Sequence, residues 1–395
     1  MQAPIDKSLT IEELIVDPYS HYRRFRQETP VVRVEAVNRI MITKAADTKA
    51  IKDDPETFSS DDPLTPMRRA FQAHTLMRKD GAPHLRERNA MMAAFSPSNI
   101  RNVWLPLYEQ IATDYIGRLP RGETVDLFQE LAAPISARCL AHLIGLTQAS
   151  DDDLCRWSQT LIDGAGNFGG LEEPFRLTEI ANAEINSCIA QTLDHNRSEF
   201  LPNAISAILH FEPENGIPLT IEELQSDIKI VIGGGINEPR DALCTGLYGL
   251  LTNPDQLAAV KRDEKLWREA FEETVRWVAP IQLSSRRATR ATQIRGIDIA
   301  EGEVVMTIQA SANHDEELYD EPHLFDIHRT NKRHQAFGNG PHFCMGTHIA
   351  RRMISELVFP MLLDRFPKMH LPEPENVKFR GFGFRGPISL PVTLN

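Results

Sequence analysis

From about residue 85 to residue 275 the apolar residues recur at helical spacing, as in LYEQIATDYIGRL, PISARCLAHLIGL and IANAEINSCIAQTLDH. A chain that commits its middle to amphipathic helices has to bury them against one another, so the expected fold is mainly α with a small β region. The β-like pieces are VVRVEAVNRIMIT near the start, ATQIRGIDIAEGEVVMTI after residue 286, and the weakly alternating GFRGPISLPVTL at the end. The strongest helix start is at Thr220, where T-I-E-E places Glu223 three residues on as a capping box, and the pattern lasts to Asn253-Pro254. At ~1.5 Å per residue this helix spans on the order of 45 Å, the width of a domain core.

The middle of that helix reads IVIGGGINEPRDAL. Each glycine costs ~1 kcal/mol and the proline ~3 kcal/mol in a helix interior, so something has to offset them. Pro239 donates no hydrogen bond and presses on the carbonyl of Gly235, which predicts a kink and a freed carbonyl. Residues 233 to 235 lack side chains, which lets a flat, bulky ligand approach the backbone; the competing reading is close helix packing.

With 395 residues, 42% of them hydrophobic, the chain buries a large core. No linker, repeat or low-complexity tract interrupts it, so one domain over 1–395 is expected. Neither a signal-peptide pattern nor an apolar run of membrane-spanning length occurs, which places the protein in the cytoplasm with no membrane partner. A net charge of −12 without a long basic run argues against nucleic acid. The five cysteines are scattered, with no C-x-x-C and no Cys/His cluster, so neither disulfides nor a zinc site are expected.

One of those cysteines is set apart. Cys344 lies in FGNGPHFCMG, residues 337 to 346, too broken for a helix and too glycine-rich for an ordinary strand, and the chain then turns helical as THIARRMISELVFPMLLDRF. A thiolate ahead of a helix gains from the dipole and from free backbone N–H groups, which lower its pKa. Such a sulfur suits a metal.

The pattern F-G-x-G-x-H-x-C-x-G is filled by Phe337, Gly338, Gly340, His342, Cys344 and Gly346, and Glu273 and Arg276 in FEETVRW form an E-x-x-R. With these and ANHDEELYDEPHLFDIHR, the sequence resembles the cytochrome P450 family over nearly its whole length. The resemblance implies a single-domain P450 fold and haem b (iron protoporphyrin IX) ligated by Cys344. It also implies that Arg329 locks onto the Glu273–Arg276 pair as structural support. Four positions match the family's propionate ligands: His84 and Arg88 in PHLRER, Arg286 in SSRRATR, chosen over Arg287 by counting back from Gly296, and His342. Gly235 falls where the long helix passes the cofactor. The implied activity is insertion of one oxygen atom from dioxygen into a C–H bond of a small hydrophobic substrate. Electrons would come from an external ferredoxin or flavin reductase, for which Lys332, Arg333, Arg351 and Arg352 could form a basic docking patch.

The long helix departs from the family's A/G-G-x-D/E-T-T. Here GGINEP puts Asn237 where the acid belongs and Glu238 where the threonine belongs. Glu238 either delivers protons, as a carboxyl whose pKa is raised in an apolar pocket, or acts as a base on hydrogen peroxide. A salt bridge to Arg240 is the rival. Asn237 can orient water but does not shuttle protons readily. A Gln-Glu-Pro version of this helix, and the closing GFGFRGPISL, resemble a bacterial branch that demethylates methoxyphenols, which suggests oxidative O-demethylation of a methoxyaromatic. Candidate pocket residues are Phe168, Ile281, Leu283 and Phe382. A non-catalytic haem sensor is the alternative from another class.

Overall fold

The computed structural model describes residues 1–214 and 216–395. By their contacts they group into two compact units, one of Met1–Thr65, Cys244–Cys344 and Glu373–Leu390, the other of Pro66–Leu243, Met345–Pro372 and Pro391–Asn395. Each unit draws on three separate stretches, so no linker separates them in the sequence.

The first unit carries a six-stranded sheet in the order Ile5–Asp6, Val31–Val34, Arg39–Ile42, Val304–Ile308, Leu283–Ala288, Phe58–Ser59. Val31–Val34, Arg39–Ile42 and Val304–Ile308 fall in the segments whose alternation predicts strands; Ile5–Asp6, Phe58–Ser59 and Leu283–Ala288 lie outside them. Register sets Arg286 opposite Val305. Arg286 and Ala288, two residues apart, share one face of their strand. Ala288 packs in a buried cluster with Ile40, Ile42, Phe58, Val305 and Ile51, the last supplied by the helix Ala45–Asp53. Each such side chain contributes about 1.5–3 kcal/mol on burial, which fixes that helix to the sheet. The hairpin Thr292–Ile294/Ile297–Ile299 turns on Arg295 and Gly296, both at positive φ (51° and 77°), the geometry a two-residue turn demands.

The second unit is helical, built on Leu105–Arg118, Ala133–Ile144, Asp151–Ala165 and Glu172–Ala190. The long helix runs Ile221–Leu251 without interruption at Pro239. Its capping box is present in both directions: the Thr220 N–H donates to Glu223 Oε2 (2.9 Å) and the Glu223 N–H to Thr220 Oγ1 (3.2 Å). Among the described residues no helix is long and apolar enough to cross a membrane.

Candidate functional site

The cysteine loop is neither helix nor strand apart from one 3-10 turn, Gly340–His342. Gly338 and Gly340 both sit at positive φ (73° and 64°), where glycine alone carries no steric penalty. Gly340 is required for a second reason. A Cβ there would stand 2.4 Å from the carbonyl oxygen of Lys52, so only glycine lets the loop lie against the end of the helix Ala45–Asp53. Upstream, Gln335 ties the segment to the same helix: its Nε2 donates to the Ala45 carbonyl (2.8 Å), and its Oε1 accepts from Thr48 Oγ1 (3.0 Å) and Asn339 Nδ2 (3.0 Å). Phe337 stacks on Phe271, and the Cys344 N–H donates to the Phe337 carbonyl (3.0 Å), which closes the loop.

The result is a presented sulfur. Cys139, Cys188 and Cys244 are buried and Cys155 is half-buried, whereas Cys344 is exposed. Buried thiols are inert hydrophobes; an exposed one on a rigid loop can ligate. Of the four candidate cations, Arg286 and His342 belong to the same unit as Cys344. Arg286 is buried, while its neighbour Arg287 is partly exposed and lies 3.7 Å from Asp61. His84, buried, and Arg88, half-buried, lie one turn apart on the helix Gly81–Met91 of the other unit.

Glu273, Arg276 and Arg329 form one hydrogen-bonded cluster. Arg276 donates twice to Glu273, Nε to Oε2 and Nη2 to Oε1, both at 2.7 Å, and Arg329 Nε donates to Glu273 Oε1 at 3.1 Å. The guanidiniums then gather backbone carbonyls. Arg276 reaches those of Asn313, Pro322 and Leu324 (2.9 to 3.0 Å), and Arg329 those of Glu321 (2.7 Å) and Leu324 (2.8 Å). These hold the irregular stretch that leads into the cysteine loop.

On the long helix the glycines divide their roles. A Cβ at Gly233 would come 3.1 Å from the ring of Phe71, and one at Gly235 2.6 Å from Leu140, so both serve close packing. A Cβ at Gly234 would meet nothing within 4 Å. Open space along this stretch therefore lies at Gly234, whereas Gly235 is covered by Leu140. Glu238 lies four residues after Gly234, one turn along the same face.

Asn237 points elsewhere. Its amide donates to Gln159 Oε1 (3.1 Å) and accepts from Arg240 Nη1 (3.0 Å). Arg240 also binds Asp241 (2.8 Å) and covers the ring of Phe128. Asn237 thus positions Arg240. The expected rival, a Glu238–Arg240 salt bridge, does not form, because Arg240 is committed to Asp241. Both carboxylate oxygens of Glu238 are buried without a hydrogen-bond partner. Burial, and secondarily the charge of Asp241, push its pKa up to about 8. Nothing in the sequence pattern marked Gln159 or Leu140; their roles come from contacts between segments far apart along the chain.

Ile281 bridges Phe384 across an antiparallel pairing, and the Gln282 N–H donates to the Gly383 carbonyl (3.0 Å), so Ile281, Leu283 and the segment of Phe382 lie side by side. Phe382 is buried, Ile281 and Leu283 partly exposed; Phe168, half-buried, follows the helix Asp151–Ala165. Of the four basic residues flanking the loop in sequence, Lys332 pairs with Glu269 (2.7 Å) and Arg352 with Glu356 (2.8 Å), so these two charges are compensated within the chain.

An exposed cysteine on a glycine-braced loop, a Glu273–Arg276–Arg329 cluster and a buried arginine, all in the same unit, fit a haem held through a thiolate. The model of the family Cytochrome P450 matches residues 172–384, more than half of the chain. The chain belongs to the cytochrome P450 family, whose members bind haem b through a cysteine thiolate, and it is a monooxygenase. It is 29% identical over 395 residues to "Cytochrome P450 107B1" of Saccharopolyspora erythraea, covering 95% of both chains. It is 30% identical over 359 residues to a "Steroid C26-monooxygenase" of Mycobacterium tuberculosis, covering 90% of this chain and 88% of that one. The solved structure of the bacillaene polyketide synthase cytochrome P450 PksS of Bacillus subtilis 168 superposes with a TM-score of 0.85 at 28% identity, covering 96% of this chain and 97% of that one.

Proposed function

We propose that this monooxygenase oxidises a small hydrophobic molecule, most concretely a methoxylated aromatic by O-demethylation, with Glu238 as its proton-transfer residue. The observation that carries the reading is the Glu238 carboxyl, buried without a partner one turn from the open face at Gly234. Cys344 would hold the iron, and His84, Arg88, Arg286 and His342 would hold the propionates. When bound, the haem supplies the oxidation, transferring one oxygen atom from dioxygen to a C–H bond with electrons from an external ferredoxin or flavin protein.

The chain's own contribution is position and protons. A carboxyl whose pKa is about 8 is protonated at neutral pH and close enough to its titration point to give up and recover a proton. Asn237, tied to Gln159 and Arg240, does not compete for that role. Ile281 and Leu283 offer apolar surface to a hydrophobic guest, in keeping with a relative named for steroid oxidation. Hydroxylation of an aryl methyl ether gives a hemiacetal, which collapses to a phenol and formaldehyde.

A second reading is favoured by the same carboxyl: ionised, it would take a proton from hydrogen peroxide and support peroxide-driven turnover. The two modes have opposite pH limbs. Donation needs the protonated acid, so reductase-driven turnover falls as pH rises past about 8, whereas peroxide-driven turnover rises toward it. The test offers a panel of methoxyaromatics, with surrogate reductase or with peroxide, and measures formaldehyde and phenol. Glu238→Gln should lower product formation by about 10²–10⁴-fold. Glu238→Thr should depress the peroxide reaction and spare the reductase-driven one. Unchanged rates in Glu238→Gln would remove Glu238 from the chemistry; no product from any donor would favour the sensor.

A further inference from the structure

Lys52, next to last in the helix Ala45–Asp53, is 2% exposed, and its ammonium nitrogen is buried without a hydrogen-bond partner. The N-cap of the same helix shows what a satisfied lysine looks like in this unit: Lys44 Nζ reaches Asp315 at 3.0 Å and Glu317 at 2.6 Å. Among the described residues no carboxylate hydrogen-bonds the Lys52 ammonium. Its neighbour Asp53 is paired with Lys49 on the exposed side. Burial first, and then the like charge of Arg286, push the Lys52 pKa well below the usual lysine range. A buried ammonium held beside a guanidinium is unfavourable, and an apolar side chain of similar length would be tolerated far better.

An anion that meets both cations would remove the conflict. The backbone carbonyl of Lys52 lies against Gly340 of the cysteine loop, and Arg286 lies on the sheet face that packs the same helix. Lys52, Arg286 and the loop that presents Cys344 are thus neighbours within one unit. The cofactor that family membership brings to this loop carries two carboxylates. We propose that Lys52 is a further cofactor-binding residue, its ammonium neutralising a haem propionate alongside Arg286. The inference rests on haem binding and not on the identity of the substrate.

The test compares ferric holoenzyme of the wild type with Lys52→Met, Lys52→Gln and Lys52→Arg. Haem transfer to excess apomyoglobin should be roughly 10- to 100-fold faster in the Met and Gln variants and near wild type in Arg, the range expected for a charged hydrogen bond. The propionate-bending band in resonance Raman spectra should move in Met and Gln and hold in Arg. The carbon-monoxide difference band of thiolate-ligated haem should persist in all of them, which separates loss of this contact from failure of the haem assignment. Wild-type haem retention together with an unmoved propionate band in Lys52→Met would assign Lys52 to packing alone. Should Lys52→Met not fold, Lys52→Gln, which keeps a donor without charge, decides on the same readouts.

Discussion

Two buried glutamates in this chain have opposite surroundings. Glu273 receives four donors, Arg276 Nε and Nη2, Arg329 Nε and the Asp326 N–H. Among the described residues no other residue donates to either oxygen of Glu238. A buried carboxylate left bare is costly, and a fold that can satisfy one so thoroughly has no physical need to leave another unsatisfied. The contrast separates two uses of burial. At Glu273 it makes a rigid frame for the approach to the cysteine loop; at Glu238 it keeps a proton on a carboxyl at neutral pH, a local violation of the sort that active sites retain.

The largest effect should come from breaking the satisfied partner. Glu273→Ala leaves Arg276 and Arg329 buried among carbonyls without their anion, which should cost about 3–5 kcal/mol and lower the haem-loaded yield. Urea titration of the holoenzyme, with the carbon-monoxide difference spectrum as the measure of loading, checks this. A loss under ~1 kcal/mol would mean that backbone carbonyls alone hold the arginines, and the contrast with Glu238 would fail.

Glu238 should behave in the opposite way. Its pKa is 4.5 in the unfolded chain and about 8 in the fold, so between those values the native state keeps a proton that the unfolded chain has released. Its stabilising contribution is fully present below 4.5 and is lost as pH rises through about 8, at up to roughly 1.4 kcal/mol per pH unit. Glu238→Gln removes that limb. The wild-type minus variant difference in unfolding free energy should therefore decline between about pH 5 and pH 8 by a few kcal/mol. A flat difference would place Glu238 in contact with solvent.

What was legible in the sequence is what depends on short chain separations or on a fixed pattern. The Thr220–Glu223 capping box, the strands 31–34 and 39–42, the Glu273–Arg276 pair and the left-handed glycines of the cysteine loop each follow from residues a few positions apart. The Glu273–Arg329 contact, far longer in sequence, was reached only through the family resemblance. Features set by unrelated segments were not legible. The sequence offers Asn237 as a water-orienting residue, whereas Gln159 and Arg240 hold its amide, and nothing local marks Lys52 as buried, since KDD at a helix end reads as solvated. The same limit applies to the triple glycine, where one pattern covers two functions.

That triple glycine supplies the smallest and sharpest test of the contrast. If Gly235 serves packing and Gly234 the open face, one added methyl should act differently at adjacent positions. Gly235→Ala places a Cβ 2.6 Å from Leu140 Cδ1, an overpacking that should cost about 1–3 kcal/mol while leaving the pKa limb of Glu238 in place. Gly234→Ala meets nothing within 4 Å and gains helix propensity, so stability should hold or rise by up to ~1 kcal/mol. Its effect should appear in substrate binding, because the methyl enters the face that Glu238 shares. Thermal melts of both variants, with spectral titration by a methoxyaromatic, read the two quantities separately. Equal destabilisation of the pair would mean that the face at Gly234 is closed in the working enzyme, and the Glu238 carboxyl would lose the space in which it is proposed to act.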